Sequence, residues 1–280
     1  MTETFNARHG YRDMALCDSH IHISNLMPIG DTEHVLAVCA RFFDLDRLAI
    51  LALPHSSVSY CDDPSNNVKT LYLKARLGTR LGAGRVYAFG GLYHHFDARD
   101  TARGFEDQLL RVMDMGFDGL KTLMGKPPLR KRLGMPLSAP VFDGIWRRCE
   151  QKGFPVTMHL GDPGHWWRPG RDGKPAAYDE TYLTLGRQRE EVEEILERFP
   201  GLNLLLCHFY FIADDLEGAR AFMERHQNAL LDITPGGEMY YHFSQRADEW
   251  RDFFRQYQKR ILFGSDTDNW AVPDTPDGYD

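Results

Sequence analysis

Two histidines separated by one residue, His20 and His22, close the run Asp18-Ser19-His20-Ile21-His22. In a strand, residues two apart face the same side, so both imidazoles point one way and can hold one divalent ion. Taken alone, the pair reads as well as two core or substrate-binding histidines. Three further side chains add to it. His159 ends an apolar run at 154–160, His208 ends another at 202–209, and Asp266 follows a third at 260–265. Imidazole nitrogens with one carboxylate form the ligand set that zinc and similar ions accept. Such an ion lowers the pKa of water it binds from 15.7 to about 7, so a nucleophile becomes available at neutral pH. Asp266 is then suited to take the proton of that water, and a neutral His208 to polarise the carbonyl under attack.

The elements that would position these groups follow a repeating pattern. Short apolar runs lie at 14–21, 48–53, 85–92, 117–124, 154–160, 202–209, 229–233 and 260–265. Near-continuous runs of this kind suit strands covered on both faces. Between them stand helical spacings: Val35, Val38, Cys39 and Phe42; Val68, Leu71, Tyr72 and Ala75; Phe105, Leu109, Val112 and Met113; Phe142, Ile145, Trp146 and Cys149. Val192, Ile195, Leu196 and Phe199 continue the series, then Leu216, Ala219 and Met223, and Trp250, Phe253, Phe254 and Tyr257. Strands alternating with helices imply parallel pairing with right-handed crossovers. Eight such strands predict an α/β fold of the (β/α)8 TIM-barrel type, occupying residues 1–280 as a single domain, and no GxGxxG follows the first run. In such barrels the site lies at the C-terminal ends of the strands, so all five side chains converge on one mouth. No eighth helix is evident after Asp266. The stretch at 161–187, rich in Gly, Pro, Trp and Arg, is long enough to act as a lid.

The segments HIH, VTMH, LLLCHF and ILFGSD, in this order and spacing, resemble the amidohydrolase superfamily. The likeness runs from about Asp18 to Asp266 and is greatest to the amidohydrolase-related branch that includes aminocarboxymuconate-semialdehyde decarboxylase. It implies that His20, His22, His159 and Asp266 are metal ligands. Asp266 would also handle the proton of the activated water, and His208 would be an electrophile or second acid/base. It implies one divalent ion, zinc first, with manganese or ferrous iron as alternatives. In binuclear members a carboxylated lysine bridges two metals, which here would involve Lys121, His159 and His208. The reading adopted is one ion, with Lys121 as a charge that orients an anionic substrate. The absent eighth helix departs from the family pattern.

Further pocket candidates are His55 after the second strand, His94 after the third, Arg168 in the long loop and Glu238 after the seventh strand. A basic run, Lys126, Arg130, Lys131 and Arg132, would clamp a carboxylate or phosphate or form a solvated face. The expected reaction is metal-dependent hydrolysis of an amide, ester or lactone of a small, carboxylate-bearing substrate. The alternative is decarboxylation of an unsaturated or aromatic acid, and a non-catalytic metal-binding barrel is the third reading.

Bulk properties narrow the function classes. The 280 residues carry a formal net charge of -7 and no basic stripe, which argues against a nucleic-acid partner. With 42% hydrophobic and 26% charged residues the chain can build a large core. The five cysteines are odd in number, widely spaced and without a CxxC pair, as in reduced cytoplasmic proteins. The polar start shows no signal-peptide core, and no apolar run is long enough to span a membrane. A homodimer is a possible assembly.

Overall fold

The computed structural model describes residues 14–23, 27–53, 65–170 and 175–268. Strands β1 (Leu16–His22), β2 (Leu45–Leu51), β3 (Val86–Gly91), β4 (Gly119–Gly125), β5 (Val156–Leu160), β6 (Leu204–Leu206) and β7 (Ala229–Asp232) pair in parallel and in sequence order. The eighth position is split. β8 (Ile261–Leu262) pairs with β7, and β9 (Thr267–Asp268) pairs with the far end of β1. Between them, Ser19 N donates to the Phe263 carbonyl at 2.9 Å and Asp266 N to the His20 carbonyl at 2.9 Å. Residues 261–268 thus link β7 to β1 and bring the sheet round into a barrel.

Helices α1 (Ile29–Phe42), α2 (Ser65–Leu81), α3 (Ala102–Asp114), α5 (Asp143–Lys152), α6 (Leu185–Arg198), α7 (Leu216–Arg225) and α9 (Ala247–Tyr257) make the crossovers. Two more, α4 (Pro127–Leu133) and α8 (Gly237–Gln245), follow β4 and β7 on the mouth side and are not foreshadowed by apolar spacing. α4 starts on a proline pair and ends at Gly134 in the left-handed conformation, the usual start and stop chemistry of a short helix. The expectation of no eighth helix concerns residues 269–280, outside the described part.

Burial on both faces holds for β4, β5 and β6, while β1, β2, β3 and β8 carry partly exposed residues. Every residue of β5 is buried, and in β4 only Leu123 is partly exposed. Two apolar clusters result. The larger joins β3–β7 to α3, α5, α6, α7 and α9 around Phe105, Phe142 and Trp146, and the smaller joins β1–β3 to α1 and α2.

The stripes expected on α1 and α2 are corrected. Val38, Phe42, Val68 and Tyr72 point to solvent, and the inward residues are Leu36, Ala37 and Ala40 on α1 and Leu73 and Leu77 on α2. Small alanines let α1 lie close on the barrel. On α2 the buried face includes Asn66, whose side chain accepts from Leu53 N (2.7 Å) and donates to the Ile23 carbonyl (3.1 Å). Asn67 likewise exchanges two bonds with Gly91. These amides satisfy backbone groups at the strand ends, so a search for apolar residues passes over them.

Candidate metal centre

β1 delivers His20 and His22 to the mouth side by side. Their Nε2 atoms lie 3.0 Å apart, and Asp266 Oδ1 is 3.5 Å from each. His22 Nδ1 faces the Leu51 carbonyl at 2.9 Å, an acceptor only, so its proton sits on Nδ1. His20 Nδ1 faces the Asp232 carboxylate at 2.9 Å, with Thr234 Oγ1 at 3.1 Å. Both Nε2 atoms therefore present lone pairs to each other and to a carboxylate oxygen. Lys121 Nζ reaches His20 Nε2 at 3.3 Å, and the remaining acceptor pairs repel unless a cation joins them. In a tetrahedral zinc site with bonds of about 2.0–2.1 Å, neighbouring ligand atoms stand about 3.3 Å apart. The observed 3.0–3.5 Å fits that edge, so the donor set fits a divalent ion.

Burial keeps these imidazoles neutral, the state that binds metal. His20 and His22 are held well below the ordinary histidine range by burial, with Lys121 adding to the effect on His20 and His20 to that on His22. His208 is lowered to about 3 by burial and by His159, and His159 to about 4 by burial and by Lys126. His20, His208 and Asp266 each offer a ligand atom within 4.8 Å of the others.

His159 departs from the expected arrangement. Its Nε2 faces the Gly161 carbonyl at 2.9 Å and Asp162 at 3.5 Å, and its ring stands edge-on to His208 with centroids 4.8 Å apart. Asp162 itself is held by Lys126 at 3.1 Å and by the Tyr178 hydroxyl. The loop after β5 thus recruits His159, a local competition that strand-end position cannot reveal.

Both His208 and Asp266 sit on left-handed backbone. φ is 54°, 54°, 56° and 48° at His208, Phe209, Tyr210 and Phe211, and 55° at Asp266. Non-glycine residues adopt this region at about 1–2 kcal/mol each, so such a turn needs outside support. Asp232 Oδ1 accepts from His208 N at 2.7 Å. Arg189 Nη2, from α6, donates to the Tyr210 and Phe211 carbonyls at 3.2 and 2.5 Å. Phe209 is packed among Phe243, Trp250, Phe253 and Phe254, and Phe211 stacks on the His208 ring.

The family model described as Amidohydrolase matches residues 81–280. The chain belongs to the amidohydrolase family. It is accordingly an enzyme, and its fold recurs in solved structures of low identity. A 4-oxalomesaconate hydratase from Rhodopseudomonas palustris is 13% identical, with 94% of this chain and 84% of that one covered and a TM-score of 0.56. An uncharacterised TIM-barrel protein from Bordetella bronchiseptica is 14% identical over 90% and 85% of the two chains, TM-score 0.55. A 2,6-dihydroxybenzoate decarboxylase from Rhizobium is 14% identical over 92% and 88%, TM-score 0.52. No curated protein matches.

The remaining candidates of this amidohydrolase fall into three groups. Lys121, 1% exposed, bonds His20 Nε2 and Cys207 Sγ, each at 3.3 Å, and makes no ion pair among the described residues. With His94, Thr122 and the apolar Ala52, Leu53, Leu92 and Leu123 it lines a narrow cleft. Arg168 is exposed in the loop after β5, and Glu238 is half-buried in the first turn of α8, with no bond of either to the His20 group. His55 lies outside the described residues. The basic run after β4 is not a free clamp. Arg130 pairs with Glu191 at 2.5 Å, Lys126 with Asp162, and Arg132 covers the Phe96 ring. The long loop carries Trp166, Trp167 and Tyr178, whose rings pack together.

Sequence reasoning missed Asp232, wholly buried at the end of β7 and bonded to both His20 and the His208 turn. The available signal was an acid closing the aliphatic run Ala229–Asp232, where burial is costly without partners.

Proposed function

We propose that this amidohydrolase is a metal-dependent hydrolase acting on an amide, ester or lactone of a small, carboxylate-bearing molecule. The observation that carries the reading is the convergence of His20 Nε2, His22 Nε2 and Asp266 Oδ1 within 3.0–3.5 Å of one another. We assign these three as ligands of a divalent ion, most simply zinc; His159, expected as a further ligand, would join them on releasing the Gly161 carbonyl. The ion supplies Lewis-acid polarisation of an oxygen and acidification of water. Asp266 has a side chain 36% exposed, so it meets water at the mouth and can take a proton from it at Oδ1 or Oδ2. His208, neutral and buried, donates a hydrogen bond to the carbonyl oxygen under attack, and the proton taken by Asp266 passes to the leaving atom. Lys121 is a buried cation on the cleft wall and pairs with a substrate carboxylate, while the aliphatic wall excludes water around the apolar body.

A second reading, decarboxylation of an unsaturated or aromatic acid, is favoured by that aliphatic wall beside one buried ammonium. The two are separated by running the zinc-loaded enzyme on a panel of lactones, N-acyl amino acids and aromatic acids in 18O-labelled water. Incorporation of 18O into a new carboxylate supports hydrolysis. Release of CO2 without it overturns hydrolysis in favour of the lyase. Turnover of no member, by a protein that binds metal, contradicts both.

A further inference from the structure

We propose that Asp232 is a positioning residue that fixes the tautomer of His20 and thereby decides whether the His20–His22–Asp266 group can take a divalent ion. The inference rests on the metal site assigned above and adds a residue outside the ligand set.

Asp232 is wholly buried and its two oxygens have different partners. Oδ1 accepts from two backbone donors, His208 N at 2.7 Å and Thr234 N at 3.1 Å. Oδ2 faces His20 Nδ1 at 2.9 Å. A carboxylate only accepts, so a neutral His20 must carry its hydrogen on Nδ1 and leave Nε2 bare. That atom, without a hydrogen of its own and faced by Lys121 Nζ at 3.3 Å, is the one 3.0 Å from His22 Nε2 and 3.5 Å from Asp266 Oδ1. The same carboxylate also anchors the left-handed turn at His208, so one side chain sets the ligand and the acid/base histidine together.

Asparagine at this position has nearly the same shape and a different donor pattern. The two backbone N–H groups require an oxygen, which sends the amide NH2 towards His20 Nδ1. Nδ1 must then accept, and the hydrogen of His20 moves to Nε2. From there it points at His22 Nε2, so the two histidines bond each other and both lone pairs leave the site. Asp232→Asn is thus expected to close the metal centre without removing a ligand.

The test is two-bond 1H–15N correlation of the histidine rings in metal-free protein, with His20 assigned from a His20→Gln variant, alongside zinc titration against a competing chelator. Wild type is expected to show His20 as the Nδ1–H tautomer and to bind zinc. Asp232→Asn is expected to show Nε2–H and a zinc affinity about 10- to 100-fold lower. Thr234→Val removes the other group near Nδ1 and is expected to keep both wild-type properties. A wild-type His20 protonated on Nε2 overturns the proposal. So does an Asp232→Asn protein with unchanged tautomer and affinity, or a Thr234→Val protein that changes tautomer. If Asp232→Asn does not fold, the wild-type and Thr234→Val spectra still decide. Failure of wild type to bind zinc, with the tautomers as stated, counts against the metal assignment and leaves the role of Asp232 in fixing the tautomer standing.

Discussion

At the scale of residues, the assigned roles separate metal retention from turnover. Asp266→Asn is expected to weaken zinc binding and abolish turnover together, because one carboxylate serves both tasks. His208→Gln is expected to keep one equivalent of zinc while turnover falls about 10²- to 10⁴-fold, the range for loss of a positioned acid or base. Elemental analysis and initial rates on the same preparations check the split. Equal loss of metal in both variants would place His208 among the ligands. The convergence of His20, His22 and Asp266 was legible in the sequence because period-two spacing and strand-end position both follow from backbone geometry. The turn of His159 towards Gly161 and Asp162 was not legible, since it depends on a loop conformation fixed by Lys126 and Tyr178. Asp232 was hidden for a related reason: its partners lie in β1 and after β6, 212 and 24 residues away.

At the scale of elements, the left-handed turn after β6 depends on what surrounds it. Arg189 gives one guanidinium nitrogen to two of its carbonyls. Arg189→Met leaves both carbonyls unpaired and is expected to cost about 1–3 kcal/mol in urea unfolding. It should lower turnover further through His208 while zinc content holds; unchanged turnover would show that the turn needs no such support. The helices carry a second lesson. Apolar spacing identified all seven crossover helices but chose the wrong face of α1 and α2, because Val38, Phe42, Val68 and Tyr72 repeat at the same interval as the truly buried residues. Leu73→Ala, at a fully buried position, is expected to cost about 2–5 kcal/mol, whereas Phe42→Ser should change stability by no more than about 0.5 kcal/mol. Chemical denaturation of both variants tests the assignment of faces. The short helices α4 and α8 escaped because they obey proline, glycine and loop chemistry, with little apolar periodicity to mark them.

At the scale of the whole molecule, alternation of strand and helix made the barrel legible, since only parallel pairing accommodates it. The split of the last strand into β8 and β9, with Asp266 left-handed between them, was not legible, because two-residue strands leave no pattern. Four buried neutral histidines also give the fold a pH signature. Their folded pKa values lie below the ordinary 6.5, about 4 for His159 and about 3 for His208. The unfolded chain therefore binds more protons as pH falls below about 6.5, so this contribution to stability is complete above that pH. It declines towards pH 4. Thermal unfolding of chelator-treated protein from pH 8 to pH 4 should show that fall, and zinc at 100 times its Kd should add about 2.7 kcal/mol at neutral pH. A melting temperature that rises on acidification would contradict burial of neutral imidazoles. The most direct test of the metal centre is elemental analysis of the purified protein after zinc loading and gel filtration, beside a His20→Ala, His22→Ala variant. About one equivalent of divalent metal in the wild type, lost in the variant, is the expected result. No metal in the wild type, or equal metal in both, would contradict the site.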